Sequence, residues 1–192
     1  MYDVFSLPEI RFRPDFVWGS STAAHQIEGD NIYSQFYQKE LEGKIWAPGD
    51  VDEVSGKACN HYKMYREDVE LISNLGHQVY RFSIEWSRIE PNEGSWNEEA
   101  IEHYIDLLEQ LVIKGIKPMV TLHHFTHPMW FEEKGAFSER ENIKYFLRFV
   151  QRIVPKIKDY VFAWNIFNEF NRGHYKGAPH KLCYLIAHAK AY

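Results

Sequence analysis

The sequence predicts an α/β fold in which parallel strands alternate with helices. Four short, continuous apolar runs, typical of strands buried on both faces, occupy residues 16–19, 79–84, 118–122 and 161–167. Trp18, in the first run, is therefore predicted to be a core residue. The segments between the runs carry apolar residues at steps of three or four, the helical period, at 60–76, 98–115 and 139–158. A fourth helix is predicted from near His180 to the chain end. This order predicts right-handed crossovers within one parallel sheet.

Glycines mark the predicted helix ends. Gly76 and Gly115 directly follow the first two periodic segments. Glycine is common just past a helix because it adopts the left-handed backbone conformation without strain. We therefore expect these two helices to stop at the glycines, shortly before the next strand begins.

A doubly wound sheet and a (β/α)8 barrel both fit this order, and the loops distinguish them. No glycine-rich phosphate loop follows the first apolar run, which disfavours a nucleotide-binding sheet. Polar residues instead follow every run, at 20–28, 85–88, 123–127 and 168–172. In a barrel, the carboxyl ends of all strands face one site. We therefore predict a (β/α)8 TIM barrel type with only about the first four β/α units present, because a complete barrel needs eight strands and about 250 residues.

The composition is that of an ordinary globular protein and disfavours several classes of function. Apolar residues make up 45% and charged residues 26% of the 192 residues, and the net charge is −5. No basic stripe is present, so a nucleic-acid partner is not expected. Cys59 and Cys183 lie far apart without a metal-binding spacing and are predicted to be free thiols. We find no signal-peptide pattern and no membrane-spanning run, so we expect a cytoplasmic protein with no membrane partner.

The most informative local feature is the pair Asn168 and Glu169 at the end of the fourth apolar run. A carboxyl group where a buried strand opens into a loop is able to donate a proton. An amide beside it is able to hydrogen-bond a sugar hydroxyl. Taken alone, however, Glu169 is better explained as a solvated loop carboxylate.

Four motifs at the predicted strand ends resemble those of glycoside hydrolase family 1, the β-glucosidase family. They are FVWGSSTAAHQIEG at 16–29, YRFSIEWSRI at 80–89, VTLHHF at 120–125 and WNIFNE at 164–169. They occur in the order of the family, with similar spacing, and cover essentially the whole chain. Residues 1–192 are therefore interpreted as the N-terminal half of a family 1 barrel.

The resemblance implies a retaining β-glycosidase site that uses no cofactor or metal and acts on a β-linked glucoside or related sugar. Glu169 looks like the general acid/base, and Asn168 looks like the residue that contacts the sugar 2-hydroxyl. Gln26 and His124 look like ligands of the innermost sugar. Arg81 looks like the arginine that lies beneath the nucleophile and keeps it ionised.

The sequence departs from the family at several places that concern the site. Ile166 stands where Thr is usual and Phe170 where Pro usually follows the acid/base, so the loop after Glu169 is expected to differ. Phe125 stands where the family usually has Trp, so the apolar ring is kept and the indole N–H is lost. The nucleophile of the family, a Glu within Thr-Glu-Asn-Gly, has no counterpart in this sequence. Glu85, just past the second strand, is a poor replacement because nothing in the sequence defines its geometry.

Three interpretations of the whole chain therefore stay open. The first is a fragment, or one half of a split enzyme, completed by self-association or by a complementary C-terminal half. The second is a non-catalytic carbohydrate-binding protein derived from the family. The third is a metal-dependent barrel hydrolase that uses His123, His124 and His127, although adjacent strand residues point to opposite faces.

The sequence also leads to two structural expectations. Arg81 is equally explained by an ion pair with a neighbouring carboxylate such as Glu28, since a buried arginine needs a partner. A half barrel also leaves the strands near Val17 and Phe162 as open edges, with unpaired backbone groups. Open edges of this kind predict self-association, binding to a complementary half, or partial disorder.

Overall fold

The computed structural model describes residues 11–43, 54–169 and 178–191. These ranges contain one parallel sheet made of β1 (Gly19–Ser21), β2 (Val79–Ser83), β3 (Lys117–His123) and β4 (Ala163–Phe167). The strands lie side by side in chain order, and each pairing is parallel. The predicted parallel α/β fold is confirmed.

Helices of the described ranges follow every strand. They are α1 (Ala24–Ile27), α2 (Gln35–Leu41), α3 (His61–Asn74), α4 (Trp86–Ile89), α5 (Glu98–Ile113), α6 (Met129–Glu133), α7 (Ile143–Ile157) and α8 (Ala178–Ala191), with 3₁₀ turns at Ala136–Ser138, Arg140–Asn142 and Lys158–Tyr160. Periodicity predicted α3, α5 and α7, and α8 is the fourth helix predicted from near His180; each lies close to its predicted span. The short helices α1, α2, α4 and α6 lie in the loops after strands, where the sequence indicated no helix.

Local signals define the ends of the crossover helices. The Asn97 side chain accepts a hydrogen bond from the backbone N of Ala100 at 3.1 Å and so caps the start of α5. Gly76 and Gly115 both have a φ of +72° just after α3 and α5. A residue with a Cβ adopts this conformation only with strain, so these glycines end their helices as predicted.

The hydrophobic core lies between the sheet and the helices. Phe82 of β2 and Val120 of β3 are part of this core. Within it, Trp86 of α4 stacks on Phe149 of α7 with ring centroids 5.2 Å apart. Because side chains alternate along a strand, the residues between these positions face the concave side of the sheet. No described helix is long and apolar enough to cross a membrane.

The first strand begins later than the apolar run 16–19 predicts. Trp18, which this run places in the core, is 50% exposed, and its ring packs on that of Phe12 at 4.7 Å. The register of β1 with β2 begins at Gly19, where a Cβ would lie 2.4 Å from the carbonyl O of Val79, so this close approach of the two strands requires glycine. The expectation that Trp18 is a core residue is wrong, since β1 is an edge strand with β2 as its one described neighbour.

β1 and β4 are the open edges of the described sheet. Each has one paired neighbour, and the flanking residues Val17 and Phe162 are 48% and 58% exposed. The prediction of two open edges is confirmed for these ranges. A groove of about 450 Å³ is lined by Val17, Gly19, Ser20, Ser21, Val79, Lys117, Met119 and Phe162. Val79 and Lys117 begin their strands, so this groove opens at the amino ends of the strands and extends to Ser21 and Met119, the register partners of Arg81.

Candidate active site

The carboxyl ends of the strands bring Arg81 and Asn168 into direct contact. The Nη2 atom of Arg81 donates to Oδ1 of Asn168 at 2.6 Å, and Nε donates to Oγ1 of Thr121 at 3.1 Å. With its amide oriented so that the oxygen faces the guanidinium, Asn165 also accepts from Nη2 at 2.7 Å. Arg81 is thus held by three neutral oxygen atoms, which suits the forked geometry of its donors.

Thr121 and Asn165 are two members of this group that sequence reasoning missed. They are register partners in β3 and β4. A polar residue within an otherwise apolar strand was the available signal, because both side chains fall on the same face as Arg81 by simple alternation.

Glu28 is paired with Arg88 rather than with Arg81. The Nε atom of Arg88 lies 3.1 Å from Oε2 of Glu28, and the Tyr104 hydroxyl donates to Oε1 at 2.8 Å. Burial raises the pKa of Glu28 to about 7, against the opposing effect of Arg88. The suggested ion pair between Arg81 and Glu28 is therefore wrong, since both oxygens of Glu28 already have other partners.

Glu169 lies directly beyond Asn168 at the end of β4. The backbone N of Asn168 donates to the carbonyl O of His123 at 2.9 Å and extends the pairing past the strand. Glu169 has an exposed side chain and a φ of +48°. Such left-handed backbone is uncommon outside glycine and tends to occur at functional sites. Residues 170–172 of the polar loop predicted here lie outside the described ranges.

His124 lies beside these charged groups at the end of β3. Burial and then the charge of Arg81 lower the pKa of His124 to about 4, while Glu169 acts in the opposite direction. The imidazole is therefore neutral at physiological pH. Its buried Nδ1 has no hydrogen-bond partner among the described residues. A neutral ring offers one donor and one acceptor, which suits a hydroxyl ligand.

Gln26 lies at the same end of the sheet but apart from the other candidates. Two hydrogen bonds hold the segment before Gln26 against β2. The Thr22 backbone N donates to the Arg81 carbonyl O at 2.9 Å, and the Ala24 backbone N donates to Oγ of Ser83 at 2.8 Å. The Gln26 side chain is exposed. Across the described part of the chain, no hydrogen bond links it to another candidate side chain.

Glu85 is a structural anchor. The residue is 1% exposed, and its carboxylate accepts from the backbone N and Oγ of Ser87 at 3.1 and 2.7 Å and from Oγ1 of Thr126 at 2.6 Å. These bonds join the end of β2 to the loop after β3. A buried carboxylate with three donors is not available as a nucleophile.

The three histidines that suggested a metal do not converge. His123 is buried, with Nε2 3.3 Å from Nδ1 of His127, and Nε2 of His127 lies 2.9 Å from Oε2 of Glu132. The ring of His124 instead contacts that of Phe125. Within the described ranges, no group of three or more His, Cys, Asp or Glu side chains is able to hold a metal ion.

Comparison with known proteins places this sheet and its polar end within one enzyme family. Residues 9–180 match the model of glycosyl hydrolase family 1. The chain belongs to glycosyl hydrolase family 1, as its motifs predicted, and its sheet corresponds to part of a (β/α)8 barrel.

The relatives define how much of such a protein the chain represents. Over 172 residues it is 35% identical to β-glucosidase A of Acetivibrio thermocellus, covering 85% of this chain and 37% of that protein. It is 33% identical to β-glucosidase A of Thermotoga maritima, covering 83% and 36%. The solved β-glycosidase of Pyrococcus horikoshii superposes with a TM-score of 0.84 at 38% identity, covering 94% of this chain and 45% of that one. The chain thus spans less than half the length of these relatives.

Proposed function

We propose that this chain carries the acid/base part of a retaining β-glycosidase site, with Glu169 as the group that donates and later accepts the proton. The observation that carries the proposal is the contact between Arg81 and Asn168, directly beside Glu169. Retaining hydrolysis uses two carboxyl groups about 5–5.5 Å apart. One protonates the departing oxygen and then deprotonates water, and the other attacks the anomeric carbon.

The orientation of Asn168 supports a role in sugar binding. Its Oδ1 accepts from Arg81 at 2.6 Å. Its Nδ2 is therefore the end of the amide that donates to a hydroxyl of the substrate. His124, neutral because its pKa is about 4, and the exposed amide of Gln26 supply further hydroxyl ligands. A β-linked glucoside fits this set and agrees with the β-glucosidase names of the relatives.

The nucleophile in this proposal comes from a complementary C-terminal half, whether on a longer chain or on a second one. Arg81 presents a positive charge to the concave side, and its described hydrogen-bond partners Thr121, Asn165 and Asn168 are all neutral. A carboxylate placed against this guanidinium would stay ionised, as a nucleophile requires. Its negative charge would also help Glu169 to hold a proton, which a general acid needs near neutral pH.

The test is a reconstitution assay with 4-nitrophenyl β-D-glucoside. The 192-residue chain is assayed alone and after co-expression with the C-terminal remainder of Thermotoga maritima β-glucosidase A. We expect hydrolysis only with both parts and its loss in Glu169→Gln. The matched control is Glu133→Gln, which changes an exposed glutamate of α6 and should keep the activity.

Three results would contradict the proposal in different ways. Activity of the chain alone that Glu169→Gln abolishes would mean that the nucleophile arises within this chain. Activity of the pair that survives Glu169→Gln would remove Glu169 as the acid/base. Binding of glucoimidazole without any hydrolysis by the pair would favour a carbohydrate-binding protein.

A further inference from the structure

The turn after β3, residues 124–128, carries His124 and contains a strained residue. Phe125 has a φ of +67°. A bulky residue keeps this conformation only when the surrounding structure holds it there. On one side, Oγ1 of Thr126 donates to Glu85 at 2.6 Å. This bond anchors the side chain next to Phe125 but leaves the peptide groups of the turn to other partners.

Gln35, the first residue of α2, supplies those partners. It is buried, and its Nε2 donates to the carbonyl O of Phe125 at 2.8 Å while its Oε1 accepts from the backbone N of His127 at 2.8 Å. Its own backbone N donates to the carbonyl O of His127 at 3.1 Å. The turn leaves the Phe125 carbonyl and the His127 N–H without regular backbone partners, and the one side-chain amide of Gln35 hydrogen-bonds both.

Backbone contacts align Gln35 with the turn. The backbone N of Met129 donates to the carbonyl O of Tyr33 at 2.9 Å, and Ser34 forms an antiparallel bridge with Pro128. Residues 33–35 and 127–129 thus run past each other in a defined register. The amide of Gln35 consequently meets the Phe125 turn in one orientation.

We propose that Gln35 is a positioning residue for His124: its side-chain amide holds the Phe125 turn in the left-handed conformation and so keeps the His124 imidazole at the Arg81–Asn168 end of the sheet. Gln35 acts through the backbone of the turn rather than on the sugar. The inference rests on the proposed role of His124 as a sugar ligand. Both a donor and an acceptor are needed on one group, which excludes Met and, at neutral pH, Glu at this position.

The test follows His124 by NMR in the complete 192-residue chain, with the imidazole signal assigned through His124→Gln. In Gln35→Met the released turn exposes the imidazole, and we expect its titration midpoint to rise by about one pH unit or more. The His127 amide should exchange about tenfold faster or more, because its acceptor is removed. The control is Gln38→Met in the same helix, where the lost bond is a surface one to Glu42 at 3.1 Å, and both readouts should match wild type.

An unchanged His124 midpoint in folded Gln35→Met overturns the proposal, even if the His127 amide exchanges faster. Should Gln35→Met fail to fold, Gln35→Glu keeps the acceptor and loses the donor at neutral pH. Its Phe125 carbonyl ¹³C shift should then differ from wild type and return on acidification, when the protonated side chain donates again. A shift equal to wild type at every pH overturns the proposal. None of these readouts needs glycosidase activity, so they remain decisive if the proposed function fails.

Discussion

At the scale of single residues, two partly buried arginines are stabilised in different ways. Arg88 is paired with the carboxylate of Glu28 at 3.1 Å. Arg81 is held by neutral oxygens, the nearest being Oδ1 of Asn168 at 2.6 Å. The charge of Arg81 is therefore left to act on its surroundings, and His124 is the neighbour in which that effect is measurable.

Replacing Arg81 by Met should raise the pKa of His124 above its wild-type value of about 4. The rise should stop short of the usual histidine value, because burial is the larger cause of the shift and is retained. NMR titration of the imidazole measures the change. Arg81→Lys keeps the positive charge and serves as the control. A midpoint in Arg81→Met no higher than in wild type would contradict this electrostatic account.

The raised pKa of Glu28 should make the free energy of unfolding decrease as the pH rises. Its folded-state pKa of about 7 exceeds the ordinary glutamate pKa of 4.5, so the folded protein binds the proton more tightly. The stabilisation is complete below the unfolded pKa and is lost as pH rises through about 7.

Urea unfolding from acid to slightly alkaline pH measures this effect. The free energy of unfolding of wild type should fall relative to that of Glu28→Gln by up to about 3 kcal/mol, taking about 1.4 kcal/mol per unit of pKa difference. Glu67→Gln, an exposed change on α3, should follow the wild-type slope. If the free energy of unfolding of Glu28→Gln fell with pH as steeply as that of wild type, a group other than Glu28 would be the cause.

At the scale of elements, short-range signals determine where helices and strands begin. Asn97 caps α5 through the backbone N of Ala100, and Gly19 allows β1 to approach Val79 closely. Both are properties of a few neighbouring residues. They place the ends of elements, while the apolar stripes determine which face is buried.

Asn97→Ala should lower the free energy of unfolding by about 1 kcal/mol, because one orphan N–H at the start of α5 loses its acceptor. Asn97→Asp keeps an acceptor oxygen and should remain close to wild type. Chemical denaturation with far-UV circular dichroism gives the comparison. Equal stabilities of Asn97→Ala and wild type would mean that water satisfies this N–H equally well.

At the scale of the whole molecule, the described sheet has two open edges and a largely apolar groove at the amino ends of its strands. The polar ends of the same strands carry Arg81, His124 and Asn168. Edges with unpaired backbone groups favour further strand pairing. Association through these edges therefore stays a prediction that the isolated chain allows us to test.

Phe162→Gln should reduce self-association, because it removes an apolar side chain that is 58% exposed next to the β4 edge. Leu71→Gln is the matched control, since Leu71 is similarly exposed, at 59%, and belongs to the helix α3 rather than to a segment flanking an edge strand. Sedimentation velocity over a range of concentrations compares the two. A wild-type chain that stays monomeric throughout would contradict the prediction of self-association.

The order of strands and helices, the position of Glu169 at a strand end and the family followed from the sequence alone. Apolar spacing and turn residues are local properties, and the four motifs are contiguous strings. The partners of the charged side chains could not be predicted from the sequence. They depend on strand register and on contacts between loops that are far apart in the chain. Strand register placed Arg81 beside Thr121 and Asn165, and Asn168 follows directly after β4. The segments after the strands paired Glu28 with Arg88 and surrounded the carboxylate of Glu85 with hydrogen-bond donors, so that Glu85 is a structural anchor. The exposure of Trp18 likewise depended on β1 lying at the edge of the sheet, which no short segment encodes.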